Sequence, residues 1–133
     1  MSVGLVIVSH AAKIADGVVE LATQMAPDVR VIAAGGDAHG GLGTDAERIA
    51  AAIEAADDGG GVLVLVDLGS AVLSARLAIE DLIGEALRGR VRISEAPLVE
   101  GAVIGAVEAS VGADLDAVDR AATGTAGMRK AQD

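Results

Sequence analysis

The chain has 133 residues, about the size of one domain and enough for a real hydrophobic core. Hydrophobic residues make up 52%, yet Phe, Tyr, Trp and Cys are all absent, which excludes disulfides, thiolate chemistry and base-stacking platforms. A net charge of −10 would repel a polyanion, so nucleic acid binding is excluded as well.

The chain opens on an almost purely apolar run, Val3-Gly4-Leu5-Val6-Ile7-Val8, that stops at Ser9-His10. Such a run reads as a strand buried on both faces. It is far shorter than the about 20 apolar residues that span a bilayer, and no basic flank or cleavage pattern accompanies it. The expectation is a buried first strand in a soluble, cytoplasmic protein that binds no membrane. His10 then lies at the strand's carboxyl end, where open α/β sheets gather ligands.

A helical pattern follows, with Ile14, Val18, Leu21, Ala22 and Met25 apolar and Lys13, Asp16, Glu20 and Gln24 opposite, ended by Pro27-Asp28. Gly17 inside it is attributed to close packing on the sheet. Residues 29–34 form a second strand, and the glycine-rich segment Gly35-Gly36-Asp37-Ala38-His39-Gly40-Gly41-Leu42-Gly43 comes next. Thr44 and Glu47 have the spacing of a capping box for the following helix, whose buried stripe is Ile49, Ala52, Ile53 and Ala56.

Residues 61–66 are the most continuous apolar run and are read as the central strand, ending at Asp67-Leu68-Gly69-Ser70. A helix is expected from there to about Leu87. It is apolar at Val72, Ala75, Ile79 and Ile83 and again at Leu73 and Leu77. An arc that wide is buried on more than one side, under a second subunit or under the C-terminal helices. Residues 91–93 form a fourth strand and residues 96–99 an extended crossover, where Pro97 argues against a central strand. Val103, Ile104, Val107 and Val111 mark another helix, and Asp114 caps a last one with Leu115, Val118 and Ala122 inward. The pattern dissolves from Thr123. The fold class is α/β: one domain over residues 1–125, with a mainly parallel sheet of four to five strands and helices on both faces, then a flexible tail over residues 126–133.

This topology sets three strand ends side by side: His10, Gly35-Gly36 and Asp67. An imidazole, a carboxylate and N–H groups at helix starts suit nucleophilic capture of a phosphoryl group. A neutral imidazole attacks through one nitrogen while a carboxylate accepting from the other fixes the tautomer. His10 is the candidate nucleophile, Asp67 its orienting partner, and Ser9, Gly35, Gly36, Gly69 and Ser70 the candidate phosphoryl-binding residues. Asp67 has a second reading as a simple helix cap. His39 is left without a role.

Other chemistries fit less well. The loop matches neither the dinucleotide fingerprint nor the Walker pattern. A receiver domain needs an acidic pair where Ser9-His10 stands, and a histidine phosphatase needs an arginine before the histidine. Two histidines without cysteine make a poor zinc set, so neither metal nor cofactor is expected.

The combination of Val6-Ile7-Val8-Ser9-His10, the run from Lys13 to Glu20, Ala33-Ala34-Gly35-Gly36 leading to Gly43-Thr44, Val66-Asp67-Leu68-Gly69-Ser70 and Ala96-Pro97-Leu98-Val99-Glu100-Gly101-Ala102 resembles the DhaM family. These are the phosphotransferase subunits of phosphoenolpyruvate-dependent dihydroxyacetone kinases. The resemblance covers about residues 1 to 125 and implies a mannose-type EIIA fold of the phosphotransferase system, a homodimer, and a phosphohistidine at His10, on Nε2, hydrogen-bonded to Asp67. It implies the phosphocarrier HPr as donor and ADP held by the DhaL subunit as acceptor, with DhaK served indirectly. Some members continue into HPr-like and enzyme-I-like domains, so this chain is expected to be loaded by separate proteins. Two alternatives remain open. One is a sugar-specific mannose-type EIIA, although those usually carry Asp-x-x-Gly-Gly-Ser-Pro where this chain has Asp67-Leu68-Gly69-Ser70-Ala71. The other is a regulatory or ligand-binding module without covalent chemistry.

Overall fold

In the computed structural model, which describes residues 1–131, four strands form one parallel sheet in the order β2-β1-β3-β4. The strands are β1 (Gly4–Ser9), β2 (Val31–Gly35), β3 (Val62–Val66) and β4 (Val91–Ile93). Six α-helices connect or follow them among the described residues: α1 (Ala12–Met25), α2 (Ala46–Ala56), α3 (Gly69–Leu77), α4 (Glu85–Arg88), α5 (Leu98–Ser110) and α6 (Leu115–Thr123).

Strand alternation sorts the core into two layers. Leu5, Ile7, Leu63 and Leu65 face one side, against Ala15, Val18 and Ala22 of α1, Ala102, Ala106 and Ala109 of α5, and Val118 and Ala122 of α6. Val6, Val8, Val62 and Val64 face the other, against Ile49, Ala52 and Ile53 of α2 and Ala71 and Ala75 of α3. Each fully buried branched side chain contributes about 1.5–3 kcal/mol relative to exposure. The chain steps from β1 out to β2, then back past β1 to β3. That reversal opens a crevice at the carboxyl ends of β1 and β3.

The helix faces differ from the sequence expectation. The side of α1 on the sheet is Ala15, Val18 and Ala22, whereas Ile14, Leu21 and Met25 are 50%, 53% and 60% exposed. On α5 the buried face is Gly101, Ala102, Gly105, Ala106 and Ala109, not Val103, Ile104 and Val107, and Val111 lies exposed beyond the helix end. In both helices the inward face is made mostly of small residues, which let the helix axis come close to the sheet. Gly17 is exposed with open space around it, so sheet packing does not account for that residue.

Three boundaries also shift. The helix expected to reach Leu87 is α3 to Leu77, then a π-helical turn over Ala78–Leu82, then the separate α4. The Arg88 side chain donates to the carbonyls of Ile79 (2.9 Å) and Ile83 (3.2 Å), groups that the broken helical ladder leaves over. Leu98 and Val99 belong to the first turn of α5 rather than to an extended crossover, and Pro97 stands at its N-cap. Asp45, not Thr44, caps α2, accepting from the N–H of Glu47. Beyond α6, residues Gly124–Gly127 form a 3₁₀ turn with Thr125 buried, and Lys130 pairs with Glu100 at 2.7 Å. The last two residues of the expected tail, 132 and 133, lie outside the described residues. No helix is long and apolar enough to cross a membrane among the described residues.

Candidate functional site

β1 and β3 run in register, with Val8 opposite Val66, so the residues that follow them emerge together. The ladder continues one step further, through the Asp67 N–H to the Val8 carbonyl at 3.1 Å. His10 and Asp67 therefore meet at the crevice as a consequence of strand pairing. His10 Nδ1 lies 2.9 Å from Asp67 Oδ1, and the backbone N–H of His10 donates to Oδ2 at 2.9 Å. The hydroxyl of Ser9 donates to Oδ2 at 3.0 Å and the N–H of Leu68 to Oδ1 at 2.7 Å. Each carboxylate oxygen thus accepts two hydrogen bonds.

Burial on its own would raise the Asp67 pKa. The hydrogen bonds from the His10 backbone, the His10 ring, Ser9 and Leu68 outweigh it and hold the carboxyl below its ordinary value. An ionised carboxylate has only lone pairs to offer, so Nδ1 of His10 carries the ring hydrogen. The lone pair is left on Nε2. There it accepts from the Ser70 hydroxyl at 2.9 Å, on the open side of a ring that is 27% exposed. This is an imidazole oriented to act as a nucleophile through Nε2 alone.

The surroundings suit an incoming anion. Ser70 and Gly69 begin α3, which has no side-chain cap and no acidic residue in its first turn. First-turn N–H groups have no partner within their own helix, and the Ser70 hydroxyl places this helix start beside Nε2. α1 begins next to His10 with the same lack of a side-chain cap and of acidic residues, and exposed Lys13 lies in its first turn. Two shallow hollows flank the histidine. One of about 210 Å³ is lined by residues 66–69, 72 and 94–96, the other of about 360 Å³ by residues 11–13 and 40–42. The first is below, and the second near the lower end of, the range of roughly 300–1,000 Å³ typical of small-molecule sites.

The five expected phosphoryl-binding residues divide. Gly69 and Ser70 lie exposed at the open side. Ser9 is fully buried, its hydrogen directed to Asp67 and its oxygen accepting from the N–H of Ala11 at 3.1 Å. Gly35 and Gly36 are buried too. A Cβ on Gly35 would stand 2.7 Å from the Cα of Ala12, so that glycine lets the start of α1 close over β2. Gly36 has φ 79° and its N–H donates to the Ser9 carbonyl. These three residues lie buried below the open side, where Gly69 and Ser70 stand. His39 is exposed on the glycine-rich loop, its N–H held by Asp37 at 2.9 Å. Among the described residues no three His, Cys, Asp or Glu side chains gather as metal ligands.

A sequence model of the EIIA-man family, described as the PTS system fructose IIA component, matches residues 4–119. The chain belongs to the EIIA-man family. It is 44% identical over 120 residues to the protein named "PEP-dependent dihydroxyacetone kinase, phosphoryl donor subunit DhaM" of Escherichia coli K12. That alignment takes in 87% of this chain but 25% of the relative, so the chain spans about a quarter of that longer protein. A Listeria innocua protein named "PEP-dependent dihydroxyacetone kinase 2, phosphoryl donor subunit DhaM" is 39% identical over 117 residues, covering 87% of this chain and 93% of its own length. A crystal structure described only as a protein of unknown function superimposes with a TM-score of 0.85 at 37% identity, covering 97% of this chain and 98% of the other.

Two polar contacts of this EIIA-man site have no sequence signal. Ser9 reaches Asp67 from 58 positions away, and Thr44 pairs with Ser74 on α3 at 2.6 Å. Both are hydroxyls whose partners only the folded chain brings near.

Proposed function

We propose that this chain is the phosphohistidine-carrying subunit of a phosphoenolpyruvate-dependent dihydroxyacetone kinase, taking a phosphoryl group onto His10 and passing it on. The observation that carries this reading is the Nδ1–Asp67 hydrogen bond, which leaves Nε2 as the one reactive nitrogen on the exposed side of the ring. The names of the DhaM relatives supply the substrate class.

In the loading step the Nε2 lone pair attacks the phosphorus of phospho-HPr. A new N–P bond forms, the N–P bond of the donor breaks, and the donor imidazole leaves with the electron pair. The positive charge that develops on the His10 ring is stabilised by Asp67. The Ser70 hydroxyl turns from Nε2 to a phosphoryl oxygen, joined by the N–H groups of Gly69 and Ser70. In the unloading step an oxygen of the terminal phosphate of ADP, held by DhaL, attacks the same phosphorus, and Nε2 recovers its lone pair. DhaL then serves dihydroxyacetone bound to DhaK. Residues 1–125 are the phosphocarrier domain, working in the cytoplasm, where donor and acceptor are found, and without a cofactor of its own.

A homodimer belongs to the same proposal. Leu73 and Leu77 of α3 are 71% and 48% exposed in the single chain, and among the described residues β4 ends the sheet with its outer edge unpaired. The C-terminal helices pack on the opposite layer and do not cover them.

The test is incubation with phosphoenolpyruvate, enzyme I and HPr. One acid-labile phosphoryl group per chain is expected, absent in His10→Ala. DhaL–ADP should then drain the label while a sugar-specific EIIB does not. The reverse acceptor preference would make the chain a sugar component, and an unlabelled wild type would favour a non-covalent module.

A further inference from the structure

We infer that Thr44 is a positioning residue for phosphoryl transfer, acting on His10 through Ser70; this rests on the phosphocarrier reading. Thr44 has the sequence position of a helix cap, but Asp45 performs that task, and the Thr44 hydroxyl points elsewhere. It bonds the Ser74 hydroxyl at 2.6 Å, one helical turn after Ser70 on α3. Residues four apart share a helix face, so the contact at Ser74 fixes the direction in which Ser70 points.

The contact closes a circuit. The N–H of Gly43, next to Thr44, donates to the backbone carbonyl of His10 at 2.8 Å. The Thr44–Ser74 bond carries the connection across to α3, and Ser70 returns it to Nε2 of the same histidine at 2.9 Å. Two adjacent residues where the glycine-rich loop meets α2 are thereby tied, Gly43 to the nucleophile's main chain and Thr44 to the helix that supplies its hydroxyl partner.

The tie adds to a light anchorage of α3 within its own length. Its buried side chains are only the methyl groups of Ala71 and Ala75. They set how close the helix lies to the sheet but offer no branched side chain to resist rotation. Its first turn is open, with nothing within 4 Å of where a Cβ on Gly69 would stand. Helix Cα atoms lie about 2.3 Å from the axis and a side-chain oxygen further out, so a rotation of about 20° displaces the Ser70 hydroxyl by more than about 1 Å. Misplacement on that scale matters to a transferring group.

The experiment uses the full chain with Thr44→Val, which keeps the shape of the side chain, together with Ser74→Ala, Thr44→Ser and Ser70→Ala. The first readout needs no phosphoryl transfer: the ¹⁵N resonance of His10 Nε2 in the unphosphorylated protein, in a spectrum holding only two histidines. Thr44→Val and Ser74→Ala should move it towards its position in Ser70→Ala, and Thr44→Ser should leave it in place. The second readout is the rate of label uptake from phospho-HPr. Thr44→Val should slow it about fivefold, the size of one neutral hydrogen bond, with no added slowing in a Ser70→Ala background. A Thr44→Val protein with the wild-type Nε2 resonance would overturn the inference, as would equal slowing in the presence and absence of Ser70. A wild-type chain that takes no label defeats the phosphocarrier reading, while the resonance still decides whether Thr44 governs the Ser70–His10 contact.

Discussion

Asp67 Oδ1 lies 2.9 Å from Nδ1 of His10, a residue 57 positions earlier in the chain, and so decides which ring nitrogen is free to react. Asp67→Asn keeps the shape but replaces an obligate acceptor with a group that can also donate, so the wrong tautomer becomes available. Phosphoryl uptake from phospho-HPr is expected to fall about 100-fold, in line with the loss of other orienting partners of reactive histidines. Single-turnover quench kinetics measure it. α3 has no side-chain cap, so Asp67 is not the helix cap that the sequence also allowed. An unchanged rate would reduce it to a structural acceptor for Ser9, His10 and Leu68.

Ser9 is the next link outward. Ser9→Ala takes one of four donors from Asp67, so its carboxyl should titrate higher and hold the ring less firmly. Uptake should slow about tenfold, with the acid limb of the pH–rate profile moved towards higher pH. A slower rate with an unmoved profile would assign Ser9 to packing alone.

Acid should destabilise the fold chiefly through the two partly buried carboxyls that are held low. Asp57 is held below its ordinary value chiefly by its hydrogen bonds from Arg90, and Asp67 by the four donors that outweigh its burial. A carboxyl with a folded pKa below its unfolded value contributes stability that is fully present above the unfolded value. That contribution is lost as pH falls through the folded value, hence below about pH 4. Melting temperatures followed from pH 7 down to pH 2.5 should drop steeply below about pH 4. Asp57→Asn should lower the plateau near pH 7 and flatten that drop.

Leu73→Glu places a charge in the middle of the exposed apolar face of α3. Light scattering behind a sizing column should give twice the chain mass for the wild type and the single chain mass for the variant. The isolated variant should remain folded, because Leu73 makes no part of either core layer. A wild-type monomer would remove the homodimer from the proposal.

The strand ends were legible because parallel, doubly covered strands are written as unbroken apolar runs. Those runs deliver His10 and Asp67 to the same edge whatever the helices do. The helix faces were less legible. Large apolar residues normally mark the buried side, but here Ala15 and Ala22 face the sheet while Ile14, Leu21 and Met25 sit roughly a quarter turn away, at 100° per residue. The same inversion on α5 buries Gly101 and Gly105 beneath Val103 and Ile104. The exposure of the five residues proposed to hold the phosphoryl group was not legible. Gly69 and Ser70 open a helix, whereas Ser9, Gly35 and Gly36 lie inward because α1 closes over them, a closeness that shows only in three dimensions.

With Nδ1 occupied by Asp67, the ring has a single entrance, and Ser70 stands at it. In the proposed relay, the protein that delivers the phosphoryl group and the one that removes it must come through that entrance in turn. They therefore compete for the chain: an excess of unphosphorylated donor inhibits unloading, an excess of acceptor inhibits loading, and double-reciprocal plots of the overall reaction run parallel. The rate of the pathway then depends on how quickly each visitor leaves.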